Sequence, residues 1–151
     1  MATADLHDET GTKKAGAAPG GRIQCVVVTP ERTMLDEAVE SVVIPLYDGE
    51  FGILPRHTPL IGRLGFGTLR VQSGGAERRY FLDGGFAQFR DNVLTILTQR
   101  ALAPGQIDPT AAEHELERAR ALPAGTDLQR AEKDRALTRA RALVRFAEHM
   151  A

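Results

Sequence analysis

The hydrophobic pattern of this chain changes period once. Up to about residue 100, apolar residues come in short runs, several alternating with polar ones, and Gly, Pro, Asp and Asn separate the runs. Past Pro104-Gly105 the apolar residues recur every three or four positions within sequence rich in alanine, leucine, arginine and glutamate. A period of two predicts strands, and a period between three and four predicts helices. Strands are expected over 22–28, 33–38, 39–46, 51–54, 60–64, 66–72, 77–82, 86–90 and 93–98. Ser73-Gly74-Gly75-Ala76 reads as a hairpin loop, while Tyr47-Asp48-Gly49-Glu50, Asp83-Gly84-Gly85 and Asp91-Asn92 read as turns. Many short strands at such spacing point to an antiparallel β-sandwich or flattened barrel.

Several strands are apolar on both faces, as where Val93 and Leu97 oppose Leu94 and Ile96. A small sandwich ordinarily keeps one face of each sheet wet. Either the helices cover one sheet or a partner protein does; the sequence leaves both open.

The second pattern predicts a helical hairpin. Asp108 suits an N-cap, and Pro109 follows at the first helical position, where its missing N–H is harmless. This helix is expected to reach about Leu122, with Ala112, Leu116 and Ala119 on its buried stripe. Leu122-Pro123-Ala124-Gly125-Thr126 breaks it, and Thr126 or Asp127 starts a second helix to about Glu148 with Leu137, Ala140, Val144 and Ala147 inward. The expected fold is α+β in two parts, an antiparallel β-sandwich over 22–104 followed by a two-helix antiparallel hairpin over 105–151. Alanine-rich seams bury little area, and at about 25 cal/mol per Å² the hairpin is expected to be weakly held and able to detach.

Charge and composition narrow the function classes. The 19 Lys and Arg nearly balance the 20 Asp and Glu, without the basic excess of a nucleic-acid or membrane-surface binder. The single cysteine, Cys25, excludes an internal disulfide and lies in an apolar run, where it reads as a small buried hydrophobe. No run approaches the ~20 apolar residues that span a bilayer. Residues 1–21 are small, polar and charged, unlike a secretory signal, and are expected to form a disordered tail.

No catalytic constellation assembles. The four histidines, His7, His57, His114 and His149, are scattered. His114-Glu115 lacks the second histidine of a zinc-protease helix, and Gly62, Gly65 and Gly67 lack the Gly-Lys-Ser/Thr of a phosphate loop. Asp48 and Glu50 could be drawn as an acid/base pair, but turn carboxylates are ordinarily just solvated. No cofactor or metal is expected. The second helix carries Arg135, Arg139, Arg141 and Arg145 with no acidic residue between the first and the last. Such a run is either a solvated face, pairing locally with Glu113, Glu115 and Glu117, or a surface for an acidic partner.

The segment Asp48-Gly49-Glu50-Phe51-Gly52-Ile53-Leu54-Pro55-Arg56-His57-Thr58-Pro59-Leu60, with Tyr80-Phe81-Leu82-Asp83-Gly84-Gly85-Phe86 downstream, resembles the epsilon subunit family of rotary F-type ATP synthases. The likeness extends over roughly 22–150. It implies a non-catalytic rotor subunit that couples proton-driven rotation of the c-subunit ring to ATP synthesis through the gamma subunit. By that resemblance Asp48, Gly49 and Glu50 form the turn that touches the c ring, and His57, Pro59 and Leu60 lie on the gamma side. Arg135, Arg139, Arg141 and Arg145 form a regulatory basic helix that meets the catalytic alpha and beta subunits when the hairpin extends, inhibiting ATP hydrolysis. The implied location is peripheral, on the cytoplasmic face of the bacterial inner membrane, with membrane contact only through the complex and no nucleic-acid partner.

Some bacterial members of that family bind ATP through Ile-Asp-x-x-Arg-Ala on the hairpin. Here Ile107-Asp108-Pro109-Thr110-Ala111-Ala112 has alanine in place of the arginine, which argues against ATP. The competing reading is a free-standing β-sandwich adaptor that binds a peptide or protein through its open sheet.

Overall fold

Alternating side chains in the first half of the chain build eight strands, and the computed structural model describes residues 21–150. They are β1 (Ile23–Val28), β2 (Thr33–Val39), β3 (Ser41–Leu46), β4 (Gly49–Ile53), β5 (Leu60–Ser73), β6 (Ala76–Arg90), β7 (Val93–Leu97) and β8 (Ala101–Leu102). The tail expected over 1–21 lies, Gly21 apart, outside the described residues. Strand order is β2-β1-β7-β6-β5-β3-β4, with β8 added on β6. Neighbours are antiparallel except β1 and β7, which run parallel, so the sheet is mixed. That pair arises because the chain returns from the far edge and inserts β7 between β1 and β6.

Two expected breaks are absent. Segments 60–64 and 66–72 form one strand, β5, and Asp83-Gly84-Gly85 lies inside β6 rather than turning the chain. The β5/β6 register is the same on both sides of that point, from Leu60 opposite Phe89 to Ser73 opposite Ala76. Gly84 and Gly85 have φ of +70° and +111°, so they kink a strand that stays paired. Beyond the kink β6 pairs with β7, and before it with β8; the long β5/β6 ribbon is thereby shared by both layers of the sandwich. Gly74-Gly75, with φ of +60° and +77°, makes the two-residue hairpin turn that the sequence indicates. The glycines dismissed as a phosphate loop let β3 approach closely: a Cβ on Gly62 would sit 2.8 Å from Leu46 Cδ2, and one on Gly67 2.9 Å from Pro45 Cβ.

Inward positions of the strands, among them Ile23, Val39, Ile44, Leu69, Leu82, Phe89 and Ile96, form the sandwich core. Cys25 belongs to it. Burial, reinforced by the charge of Glu37, pushes its thiol from an ordinary 9.0 up to about 12. A thiol that ionises at lower pH in the unfolded chain favours unfolding once that pH is passed. Its contribution to stability is therefore intact below about pH 9 and is lost as pH climbs towards 12. Iodoacetamide at pH 8 is expected to label Cys25 only as fast as the chain unfolds, and denaturation midpoints are expected to fall above pH 9. Cys25→Ala should flatten that alkaline decline; rapid labelling of native protein would contradict the buried placement.

The second half forms α1 (Pro109–Arg120) and α2 (Asp127–Met150). Asp108 caps α1 as expected, its carboxylate accepting from the Ala111 N–H at 2.7 Å. Thr126 Oγ1 accepts from the Gln129 N–H at 3.1 Å, and Gln129 Oε1 accepts from the N–H of Gly125 and of Thr126. This reciprocal box fixes Thr126 as the cap of α2. Ala112, Leu116 and Ala119 are buried as anticipated, and so are Ala140, Val144 and Ala147. Ala142, Leu143 and Phe146 are buried too, which the single-seam reading of α2 missed. The helix is covered on two sides: it meets α1 along one and, through Phe146, meets Phe81 of β6 along the other, with ring centroids 5.9 Å apart. Phe81 points out of the sandwich and Leu82 into it, so β6 carries both cores on alternate residues.

Candidate functional site

The hairpin covers only one outer face of the sandwich. On the other, Phe86 of β6 stands opposite Leu97 of β7, and Ile61 of β5 faces Gln88, two residues along β6 from Phe86. Ile61, Phe86 and Leu97 are 77%, 58% and 52% exposed. Alternation forces this arrangement: Ala87, Phe89, Leu94 and Ile96 take the core side, and their neighbours must face outward. Of the two anticipated causes of the two-sided apolar strands, the helices over one face are present, and on the other face the apolar patch lies bare. Ile61 did not stand out in the sequence and Phe86 did so only as the end of the Tyr80–Phe86 motif; Leu97 did, through the two-sided pattern of β7.

The residues expected on the gamma side lie beside this patch in different settings. Pro59 is exposed and, with Ile61 and Arg90, lines a surface hollow of about 380 Å³. Leu60 is half-buried against the sandwich core. His57 closes the end of the sandwich, edge-on to Phe51 and Phe89 with centroids at 5.4 and 6.1 Å, and its Nδ1 lies 2.8 Å from the Thr58 carbonyl oxygen. These contacts give His57 a packing role at that end of the sandwich.

Asp48, Gly49 and Glu50 occupy the tip of the β3–β4 hairpin and are exposed. Gly49 opens β4, with φ +141°. Glu50 pairs with Arg70 at 3.2 Å, and Tyr47 at the same tip lies under the Arg63 guanidinium, 4.7 Å from its ring centre. Between this hairpin and the last turns of α2 runs a cleft of about 440 Å³ lined by Glu50, Arg70, Arg79, Arg145 and His149, among others.

The basic run of α2 is divided by the fold. Arg141 and Arg145 are exposed. Arg139 turns towards the sandwich, its Nε 2.9 Å from Asp83 Oδ1 and its guanidinium 5.1 Å from the Phe66 ring centre; Arg135 lies 5.9 Å from the same ring. Pairing between the two helices, anticipated for the glutamates of α1, is not what forms. Glu115 binds Arg100 at 3.4 Å, and Glu117 binds Arg120 of its own helix. The sandwich supplies a nearer cation to Glu115 than α2 does. Arg100 went unremarked in the sequence, and Asp83 was read only as a turn and motif residue, because nothing local marks either as one end of this polar link.

Among the described residues no group of three or more His, Cys, Asp and Glu could hold a metal ion, and no helix is long and apolar enough to cross a membrane.

The profile of a family described as "ATP synthase, Delta/Epsilon chain, beta-sandwich domain" matches residues 22–104. The ATP synthase epsilon chain of Rhodopirellula baltica is 46% identical over 123 residues, covering 82% of this chain and 96% of that one. That of a Synechococcus species is 37% identical over 124 residues, covering 81% and 90%. A chain in the cryo-EM structure of the Euglena gracilis mitochondrial ATP synthase (OSCP/F1/c-ring) superposes with a TM-score of 0.74 at 26% identity, covering 90% of this chain and 91% of its own. A chain of the Tetrahymena thermophila mitochondrial ATP synthase central stalk and c-ring shares the fold, with a TM-score of 0.60 at 14% identity over 84% and 94%.

Proposed function

The chain belongs to the delta/epsilon family of ATP synthase subunits, and from that premise we propose that it is a non-catalytic rotor subunit of the central stalk. The observation that carries this reading is the bare apolar patch of Ile61, Phe86 and Leu97 on a well-packed sheet. Contiguous exposed apolar surface on a sandwich marks a protein interface, and the occupant is the gamma subunit. The β3–β4 tip, with Asp48, Gly49 and Glu50, then rests on the c-subunit ring, and Pro59 lies on the rim of the gamma contact. Rotation of the ring reaches gamma through the sandwich without any bond being made or broken here. The subunit sits on the face of the membrane that carries the catalytic sector, the cytoplasmic one in a bacterium, and meets the bilayer only through the complex.

The hairpin regulates. Arg135, Arg139, Arg141 and Arg145 together form a basic surface only when α2 leaves the sandwich, and that surface suits acidic segments of the alpha and beta subunits. The population of the extended form sets the inhibition of hydrolysis.

Co-purification with the gamma subunit of the same organism, followed by size-exclusion chromatography, tests the assignment. A stable one-to-one complex is expected. Two separate peaks at micromolar concentration would sink it and favour a free-standing adaptor. Deleting 122–151 is expected to raise ATP hydrolysis severalfold in the assembled enzyme without preventing assembly, and unchanged hydrolysis would remove the inhibitory role. Because this deletion uncovers Phe81, the truncated chain should also carry Phe81→Thr to keep the face soluble.

A further inference from the structure

We propose that Asp83 is an internal competitor for the basic helix: a carboxylate on the sandwich that holds Arg139 while the hairpin is down, and so withholds it from any acidic partner. The regulatory half of this inference rests on the rotor reading above; the clamp itself does not.

The geometry holds the Arg139 guanidinium at two points. Phe66 of β5 and Asp83 of β6 are cross-strand partners at the kink of the β5/β6 ribbon. Arg139 engages both, donating from Nε to Asp83 Oδ1 at 2.9 Å and stacking over Phe66 at 5.1 Å. The Asp83 side chain is only 13% exposed, so its bond to Arg139 is less screened than the surface pairs elsewhere on the molecule. Gly84, at a φ of +70°, lies against the edge of the ring, with Phe66 Cε1 3.4 Å from where a Cβ would project. The aromatic and the carboxylate therefore hold Arg139 together, with Arg135 over the same ring at 5.9 Å.

A second arginine makes the clamp reversible. Arg100 Nε lies 3.6 Å from Asp83 Oδ2, too long for a hydrogen bond, and that buried N–H has no other acceptor. A half-buried carboxylate stripped of its only counter-ion would strongly oppose departure of the helix. Here Arg100 remains behind on the sandwich, so Asp83 keeps a cation when Arg139 leaves. Arg100 also holds Glu115 of α1 at 3.4 Å, joining both helices to the same point. Opening is thus an exchange of partners around Asp83, with Arg139 released to the outside.

The test uses the isolated full-length chain and hydrogen exchange of the α2 segment 136–147, with β7 as an internal reference. Asp83→Asn keeps the shape and removes the charge; it is expected to speed exchange of 136–147 about tenfold and leave β7 unchanged. Arg139→Gln is expected to do at least as much, since it removes the stacking as well. The double variant should exchange at the rate of Arg139→Gln alone, because one bond is lost in both. Glu117→Gln, which breaks a pair confined to α1, should change nothing. Asp83→Asn exchange equal to the parent's, or a double variant whose effect is the product of the two, would overturn the clamp. In the assembled enzyme Asp83→Asn is expected to slow ATP hydrolysis severalfold, whereas Arg139→Gln is not. Equal hydrolysis by Asp83→Asn and parent would overturn the competition, while leaving the rotor assignment to stand or fall on the gamma complex.

Discussion

Phe86→Asp is expected to lower affinity for the gamma subunit by about a hundredfold or more while leaving the isolated chain folded. The side chain is 58% exposed and stands at the middle of the patch, opposite Leu97 and diagonal to Ile61. Truncating a central interface aromatic costs about 2 kcal/mol or more, and an aspartate brought into the contact adds the desolvation of a charge without a partner. The fold has little stake in the ring, so unfolding should shift by no more than about 0.5 kcal/mol. Titration calorimetry against gamma and urea denaturation of the free chain separate the two effects. Leu128→Asp is the matched control, since Leu128 is 71% exposed but sits at the start of α2, away from the patch. Equal weakening by both variants would place the contact elsewhere.

One residue earlier, the expected outcome reverses. Gly85→Ala is expected to destabilise the chain by about 4 kcal/mol or more, enough to abolish the cooperative urea transition of a marginally stable domain. A Cβ at Gly85 would lie 1.9 Å from the Leu97 carbonyl oxygen and 3.0 Å from Thr98 Cα, at a φ of +111°. Every one of these neighbours is backbone, so no rotamer change relieves the clash; β7 itself would have to leave β6. Gly74→Ala tests the argument from the other side. There φ is +60° but the space is open, and the cost should be only the left-handed penalty of about 1 kcal/mol. If Gly85→Ala keeps the parent's urea midpoint, β6 and β7 do not approach each other in this way.

Much of this architecture was written locally. Short apolar runs bounded by turn residues placed β1 and β7, and period-two alternation placed the second half of β5, because burial on one side of a pleat marks every second residue whatever the partner strand is. The caps of α1 and the seam of Ala112, Leu116 and Ala119 were legible for the same reason: cap and stripe are properties of a few consecutive residues. The epsilon-like motif, with its Pro-Arg-His-Thr-Pro run, was equally readable in order and spacing. Cys25 showed its buried character through its apolar neighbours alone.

The rest depended on what meets what across the chain. Asp83-Gly84-Gly85 has the composition of a turn, and it became a kink because β5 pairs with it on both sides of the bend. The inward face of α2 was read as one stripe because its own sequence cannot show that Phe81 waits on the sandwich for Phe146. The arginine run looked uniform along the helix. Docking divided it, turning Arg139 to a carboxylate 56 residues away and leaving Arg141 and Arg145 in solvent. Sequence alone settles periodicities, caps and turn chemistry, since these are short-range sterics and hydrogen bonds. Only the tertiary structure decides which apolar face stays bare and which charge finds a partner, because burial and ion pairing are set by distances between segments that the chain's order does not contain.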